Sequence, residues 1–422
     1  MAERRARGGI LILGGGFAGA WAARLLARRG RESTIVNHEN FMLFASLLPE
    51  AASGSLEPRH VVVPLRMMCP RSEILVGHAQ SLDVANATVR VETEQELIPV
   101  RYEQLVVALG AVARTLPIPG LADHALGFKN LADAIRLRNH VLQRLDAAAV
   151  AASPGGRARE LTLVFVGAGY AGVEALAELH ELVRDALRYY PELRDADQRW
   201  ILVDAASRIL PEIPTRLGEY AAEQLRRRGV DIRVSTTLTE VEAHAATLSD
   251  GERIPTATVV WTAGVRANPA LATLGLPLDD RGRVEVDELL RVRGHENVWA
   301  LGDGARVPNL ATPDHPDPPT SQHALRQARR LARNLGGVPK PYRYRMLGQV
   351  ATLGRYRGIA DVLGVRLRGF PGWFVTRTYH LYQLPLLSRK LRVVADWSIA
   401  LMFRRDIAEL GMLGRTEQLG DV

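Results

Sequence analysis

The chain is 422 residues long, enough for two or three domains that each bury a core of their own. It is 47% hydrophobic and 24% charged, which excludes the disordered and fibrous classes. Cys69 is the single cysteine, so an internal disulfide framework, a four-cysteine zinc site and a catalytic dithiol are excluded as well.

The net charge of +8 is unevenly spread. Between Arg343 and Arg405 twelve basic residues stand against two acids, Asp361 and Asp396, and the chain before them is near neutral. The excess therefore belongs to the C-terminal region, and with no nucleic-acid motif present no nucleic-acid partner is expected.

Met1–Arg7 is basic and Gly8–Ala23 uncharged, the outline of a secretory signal. Gly14-Gly15-Gly16 interrupts that run, however, and the helix after it continues into Arg24, Arg28 and Arg29, so no signal peptide is expected. No uncharged apolar stretch reaches the ~18 residues of a membrane span.

Ile10–Leu13 is a short apolar run, the pattern of a parallel strand buried on both faces. It ends in Gly14-Gly15-Gly16-Phe17-Ala18-Gly19; a helix is predicted over Ala20–Arg29 and a second strand over Ser33–Asn37. The same grammar returns about 150 residues later. Leu161–Val166 predicts a strand, Gly167-Ala168-Gly169-Tyr170-Ala171-Gly172 a turn, Val173–Leu187 a helix, Tyr189–Arg199 a loop and Trp200–Asp204 a strand. Further short strands are expected at Leu105–Leu109, Thr258–Thr262 and Val298–Leu301. Ala151–Gly156 has the composition of a crossover between domains, and the proline-rich stretch Pro308–Pro319 that of an irregular loop.

A lone G-x-G-x-x-G says little, but each copy here lies between a strand and a helix, where it has a mechanism. The first glycine (Gly14, Gly167) makes the tight turn. The second (Gly16, Gly169) lets a pyrophosphate reach the backbone, and the third (Gly19, Gly172) lets helix and strand approach. Asp204 ends the strand after the second copy and can accept from a ribose 2′-hydroxyl, which favours NADH; Arg208 nearby leaves room for NADPH. After the first copy the corresponding positions are Asn37 and Glu39. Val298–Leu301 leads into Gly302-Asp303, which puts a carboxylate at a strand's C-terminal edge, where α/β folds bind ligands.

On these motifs the sequence resembles the two-dinucleotide-binding flavoproteins and, within them, the type II NADH dehydrogenases, the non-proton-pumping NADH:quinone oxidoreductases. The likeness rests on Gly14–Gly19, Phe41–Phe44, Leu48-Pro49-Glu50 with Gly54, Val107–Gly110, Gly167–Glu174, Trp261–Gly264, Gly302-Asp303 and Pro319–Gln322. It implies an α/β fold of two Rossmann-like domains plus a membrane-associated C-terminal region. FAD would occupy 1–120 and 259–341, NADH 121–258, and the C-terminal region would be 342–422. For FAD the resemblance implies Gly14, Gly16, Phe17, Ala18, Gly19, Asn37, Glu39, Pro49, Ala79, Gly110, Asp303 on the ribityl chain, Ser321 and Gln322. For NADH it implies Gly167, Gly169, Tyr170, Ala171, Gly172, Glu174, Asp204 and Gly264.

One cysteine removes the branches of the superfamily that work through cysteine pairs, and Cys69 beside Met67 and Met68 reads as a small packing residue. Electrons must then leave the flavin directly. Glu174 has two readings: an acid complementing a helix dipole, or an orienting or proton-relay group beside nicotinamide and flavin. The family commonly carries two glutamines four residues apart at the flavin and quinone site. Here they are Gln322 and Gln327, five apart, with Arg326 in the fourth place and Ser321 where alanine is usual. Either Arg326 occupies the site or Gln327 is structural. None of the eleven histidines has metal-ligand spacing, His180-Glu181 included, so no metal is expected.

Tyr342–Leu410 mixes aromatics, aliphatics and arginines. Trp373, Phe374, Tyr379, Leu381, Tyr382, Leu384, Leu386 and Leu387 are flanked by Arg377, Arg389, Lys390 and Arg392. Val394, Trp397 and Leu401 share a helical face that ends at Arg404 and Arg405, a composition suited to lying in a membrane interface. The expected protein is a peripheral enzyme on the cytoplasmic face of the cell membrane. It passes electrons from NADH through FAD to menaquinone or ubiquinone, alone or as a homodimer. The competing expectations are a soluble NAD(P)H reductase serving a protein carrier such as a ferredoxin, and a non-catalytic flavin-binding redox sensor.

Overall fold

The four residues of Ile10–Leu13 are entirely buried, as a strand covered on both faces requires. In the computed structural model, which describes residues 4–194 and 196–409, this strand is the centre of a five-stranded parallel sheet. The order across it is Val298–Ala300, Gln104–Val107, Ile10–Leu13, Ser33–Asn37, Ser72–Val76, with Val106 opposite Ile12 and Ile12 opposite Ile35. The helix Phe17–Ala27 follows the central strand and packs against the helix Ser321–Asn334. A four-stranded sheet containing His78–Asp83, Thr88–Glu92 and Leu97–Arg101 belongs to the same unit. Within the described residues this first unit comprises 4–44, Val62–Val112 and Val265–Met346.

The second unit comprises Ala45–Val61, Ala113–Gly264 and 347–409. It repeats the plan with a parallel sheet in the order Ala125–Gly127, Thr258–Trp261, Thr162–Val166, Arg199–Val203, Val230–Arg233. Val164, Ile201, Val203, Val259 and Trp261 of that sheet share one core with Val241 and Ile254 of a small antiparallel sheet. The unit also holds the meander Gly348–Thr352, Gly358–Val362, Val365–Arg368 and the helices Gly369–Gln383 and Leu387–Met402. Residues 342–422 were expected to form a region of their own; contacts place 347–409 with the second unit, and the stretch after 409 lies outside the described residues.

Three expectations need correction. Ala151–Gly156 is not a crossover: it lies inside the second unit, where the Ser153 hydroxyl accepts from Gly156 N at 3.1 Å and caps the helix Pro154–Glu160. Both fingerprint helices start three residues earlier than predicted, at Phe17 and Tyr170, because the last three residues of each glycine turn already form helix. And Val394, Trp397 and Leu401 do not share an environment: Trp397 is turned inward beside Val393, while Val394 and Leu401 are exposed.

Candidate functional site

The two glycine turns have the same internal geometry. Gly14 and Gly167 are left-handed, at φ +105° and +110°. A Cβ on Gly14 would lie 2.2 Å from the Ala108 carbonyl oxygen, and one on Gly167 would lie 2.7 Å from the Ala263 nitrogen. The third glycines are packed harder still: a Cβ on Gly19 would sit 1.9 Å from the Gly14 oxygen, and one on Gly172 would sit 1.8 Å from the Gly167 oxygen. The second glycines differ in kind. Apart from the adjoining chain itself, nothing of the protein lies within 4 Å of a Cβ built on Gly16 or Gly169. Each is the N-cap of its helix with no side chain capping it, so the first backbone N–H groups are left to a ligand. An open space over a helix N-terminus is the cradle a pyrophosphate fills, and the two turns fit FAD and NADH in this respect.

In the first unit Gly302 stands at φ +78°, and a Cβ there would come within 2.9 Å of the Ala18 Cβ. This close approach brings Asp303 up to the start of the first fingerprint helix. Gly302 N donates to Gln327 Oε1 at 2.7 Å, and Gln327 Nε2 donates to Asp317 at 2.9 Å. Gln327 is thus buried with both ends of its amide engaged, bracing the Gly302-Asp303 turn. Gln322 and Ser321 are half-buried in the first turn of the helix Ser321–Asn334, and Thr320 caps that helix by accepting from His323 N. A recess lined by Gly302, Asp303, Asp317, Thr320 and His323 opens there. Arg326 lies over the Tyr344 ring, 5.1 Å from its centroid. The glutamines five apart therefore occupy different environments, Gln322 half-buried and Gln327 buried.

Gly110 is at φ +69° and accepts from Asn268 N at 3.1 Å. Ala79 is buried in the strand His78–Asp83; Phe17 and Ala18 begin the first fingerprint helix. Glu39 is exposed past the strand end, and Pro49 lies in the second unit, in the helix Leu48–Ala52. Asn37 reaches back to the turn: its Oδ1 accepts from Gly15 N at 2.7 Å and its Nδ2 donates to the Glu39 carbonyl at 2.8 Å.

Asp204 makes the equivalent brace in the second unit, accepting from Ala168 N, and also accepts from Ala206 N at 2.7 Å. A carboxylate has about four acceptor sites, so it retains capacity for ribose hydroxyls. Arg208 is committed to the carbonyls of Pro211 and Ile213, the latter at 2.9 Å. The guanidinium weighed as a 2′-phosphate partner is therefore already used by its own loop. Tyr170 and Ala171 occupy the first helical turn, and burial pushes the Tyr170 hydroxyl well above its usual range. Gly264 is left-handed at φ +94°, with open space beside it, and its carbonyl accepts from Arg114 N.

Glu174 is beyond the first turn of its helix and 8% exposed. It accepts from Thr352 N at 2.8 Å and Thr352 Oγ1 at 3.3 Å. Burial, with Glu50 and Glu178 adding repulsion, pushes its carboxyl up to about 8. A dipole partner belongs in the first turn; Glu174 is the fifth residue of its helix and lies beyond that turn, which removes the helix-dipole reading. Cys69 is buried, its thiol donates to the Ala20 carbonyl at 3.3 Å, and burial pushes it up to about 12. Such a thiol is inert.

Sequence reasoning missed the surroundings of Glu174. Glu178, Glu181 and Asp185 are buried on the same helix, Glu50 is buried nearby, and Arg377 and Arg405, read as surface charges, are buried with them. Arg377 lies between the rings of Trp373 and Trp397, 4.4 and 4.7 Å from their centroids, and donates to Glu50 at 2.9 Å. The signal was present in the acids at helical spacing within an apolar helix.

A profile of the family described as pyridine nucleotide-disulphide oxidoreductase matches residues 9–328. The chain is 29% identical to the type II NADH:quinone oxidoreductase Ndh of Mycobacterium tuberculosis, covering 94% of this chain and 88% of that one. It is 30% identical to the mitochondrial internal alternative NAD(P)H-ubiquinone oxidoreductase A1 of Arabidopsis thaliana, covering 95% and 85%. In fold it matches the structure of NDH2 from Plasmodium falciparum in complex with NADH, with a TM-score of 0.87 at 17% identity over 96% of this chain and 100% of that one. The chain belongs to the pyridine nucleotide-disulphide oxidoreductase family, among relatives that are type II NADH:quinone oxidoreductases.

Proposed function

We propose that this chain passes electrons from NADH through FAD to a membrane quinone without pumping protons. The observation that carries the reading is the pair of glycine turns, each with an open second glycine over an uncapped helix N-terminus, one beside Gly302-Asp303 and one braced by Asp204. FAD, when bound, supplies the two-electron chemistry. The first turn and Gly110 hold its pyrophosphate side, Asp303 takes the ribityl hydroxyls, and Ser321 and Gln322 border the ring. Asp204 takes the adenosine ribose of NADH, and Tyr170, Ala171 and Gly264 line the dinucleotide. The inert Cys69 supports direct transfer from flavin to acceptor, with no thiol stage.

The net reaction, NADH + H+ + quinone → NAD+ + quinol, consumes one proton per turnover. Glu174, which keeps its proton to about pH 8, is the group proposed to supply it. The quinone, menaquinone or ubiquinone, arrives from a membrane on which the C-terminal helices rest. Phe370, Phe374, Tyr382, Leu387, Leu391 and Met402 are all more than half exposed, a patch that supports docking. Arg392 and Arg404 are exposed beside it, whereas Arg377 and Arg405 are not available to lipid. No helix among the described residues is long and apolar enough to cross a membrane. A homodimer through the same patch would hide it from lipid.

Anaerobic addition of NADH should bleach the flavin absorbance, and a menaquinone analogue should restore it. Failure to bleach overturns the enzyme reading, and bleaching without reoxidation by quinone overturns the acceptor. Co-sedimentation with anionic liposomes should be lost in Phe374→Asp/Leu391→Asp, which charges the exposed patch and keeps the buried contacts of Arg377, Trp397 and Arg405; undiminished binding rejects the docking surface.

A further inference from the structure

The helix Tyr170–Ala186 carries Glu174, Glu178, Glu181 and Asp185 at spacings of four, three and four, which places them on one stripe. They are 8%, 1%, 1% and 5% exposed. Buried acids persist when paired or protonated, and the four differ in which of these they use. Glu181 is paired with Arg184 and lies 3.5 Å from Arg228. Glu178 and Asp185 share a single guanidinium: Arg405 Nη2 donates to Glu178 at 2.9 Å and Nη1 to Asp185 at 3.2 Å. The Ser53 hydroxyl adds a bond to Glu178 at 3.0 Å. Among the described residues Glu174 touches no cation; its bonds come from Thr352, which carries no charge.

Arg405 does not come from a neighbouring helix turn. It lies in the extended segment after Met402, 227 residues from Glu178, and its Nε donates to Ser55 Oγ at 3.1 Å. Arg355 donates to the Leu401 carbonyl at 2.8 Å and Arg138 to the Asp406 carbonyl, which strap the segment in place. Arg405 Nη1 also lies 3.8 Å from Glu181, and Arg357 lies 3.9 Å from the same carboxylate. Glu50 faces the stripe too, already bonded to Arg377 at 2.9 Å and Trp397 at 2.6 Å, and the neutral Tyr170 hydroxyl stands at the start of the helix itself.

We propose that Arg405 is a positioning residue for Glu174: by cancelling the charge of Glu178, one turn along the helix, it sets the proton affinity of Glu174. The inference rests on Glu174 being the proton-holding group of the proposed reaction. At a separation of about 6 Å between neighbouring turns, a bare Glu178 carboxylate repels an ionised Glu174 appreciably, while one paired with a guanidinium does so far less. The C-terminal tail thereby fixes the pH range in which Glu174 holds a proton.

The test is an infrared titration of the oxidised holoenzyme without NADH or quinone. It follows the protonated-carboxyl stretch assigned to Glu174 by its disappearance in Glu174→Gln. Arg405→Gln should raise the midpoint by about one pH unit, Arg405→Lys should leave it near wild type, and Glu178→Gln should lower it. The double variant Arg405→Gln/Glu178→Gln should return it towards the wild-type value. Shifts of opposite sign are not what general loosening produces. Midpoints unmoved by both single substitutions, or moved in the same direction, overturn the proposal; should Arg405→Gln not fold, an unmoved midpoint in Glu178→Gln alone does so. Full quinone reduction by Glu174→Gln would instead reject the proton-supply reading while leaving these shifts intact.

Discussion

The two fingerprint helices begin alike and are seated differently. Phe17–Ala27 turns Ala18, Gly19, Ala20, Ala22 and Ala23 inward and packs closely on the helix Ser321–Asn334. Tyr170–Ala186 turns Glu174, Glu178, Glu181 and Asp185 inward and is held by arginines that arrive from the C-terminal segment and elsewhere. Small residues give close approach with nothing to titrate; buried acids give an environment that depends on pH. The strand ends differ in the same sense. Asn37 spends its amide on Gly15 and Glu39, whereas Asp204 braces Ala168 with a carboxylate that can still accept from a sugar. The first strand end is spent on bracing its own turn, while the second keeps charged acceptor capacity beyond the brace.

The largest effects should come from the open glycines. Gly16→Val and Gly169→Val have extended backbone that valine adopts, at φ −76° and −74°, and no protein atom beyond the adjoining chain within 4 Å of the new Cβ, so both variants should fold. The side chain would take the place of the phosphates. Losing two charge-assisted hydrogen bonds costs about 3 kcal/mol, on the order of 100-fold in affinity. Gly16→Val should purify without yellow colour. Gly169→Val should stay yellow yet need on the order of 100-fold more NADH for bleaching. If both lose FAD, the division of labour between the units is wrong.

Smaller effects should separate the strand ends. Asp204→Ala should raise the KM for NADH about tenfold, the loss of one charge-assisted bond, with flavin retention unchanged. Asn37→Ala should weaken FAD retention only a few-fold, since a neutral brace to one N–H is worth about 1 kcal/mol. Equal losses, read by NADH titration and by fluorescence of released flavin, would show that the carboxylate adds nothing the amide lacks.

Much of the nucleotide frame was legible in the residues. Ile10–Leu13 and Ser33–Asn37 are strands over the expected residues, and the repeat predicts the second parallel sheet, because buried parallel strands and glycine turns are encoded locally. The helix starts were misread by three residues because a fingerprint's last glycine is helical as well as a turn residue. The acid stripe went unread because its partners are remote. Arg377 meets Glu50 across 327 residues and Arg405 meets Glu178 across 227, and no periodicity in Leu387–Met402 reveals that an arginine beyond its end turns inward. Composition placed both among the basic residues of the surface, where an unpaired arginine belongs by default.

The subtlest consequence of the contrast concerns stability. Glu174 keeps its proton to about pH 8 in the folded chain, against an ordinary value near 4.5 once unfolded. Between those limits the native state binds one proton more than the unfolded state, so this group's contribution is fully present below about pH 4.5 and is lost as pH rises through 8. Glu174→Gln removes that dependence while keeping an amide that can accept from Thr352. The Tm of the wild type relative to the variant should therefore fall steadily from pH 5 to pH 8 and level off above it. The limiting slope for one proton is about 1.4 kcal/mol per pH unit, or roughly 3–6 °C per unit in a domain of about 150–250 residues. Ile35→Val, at a fully buried apolar position of the first unit's sheet, should give a profile parallel to wild type. Parallel profiles for Glu174→Gln as well would mean that Glu174 is ionised in the native state and that the buried stripe is fully charge-compensated.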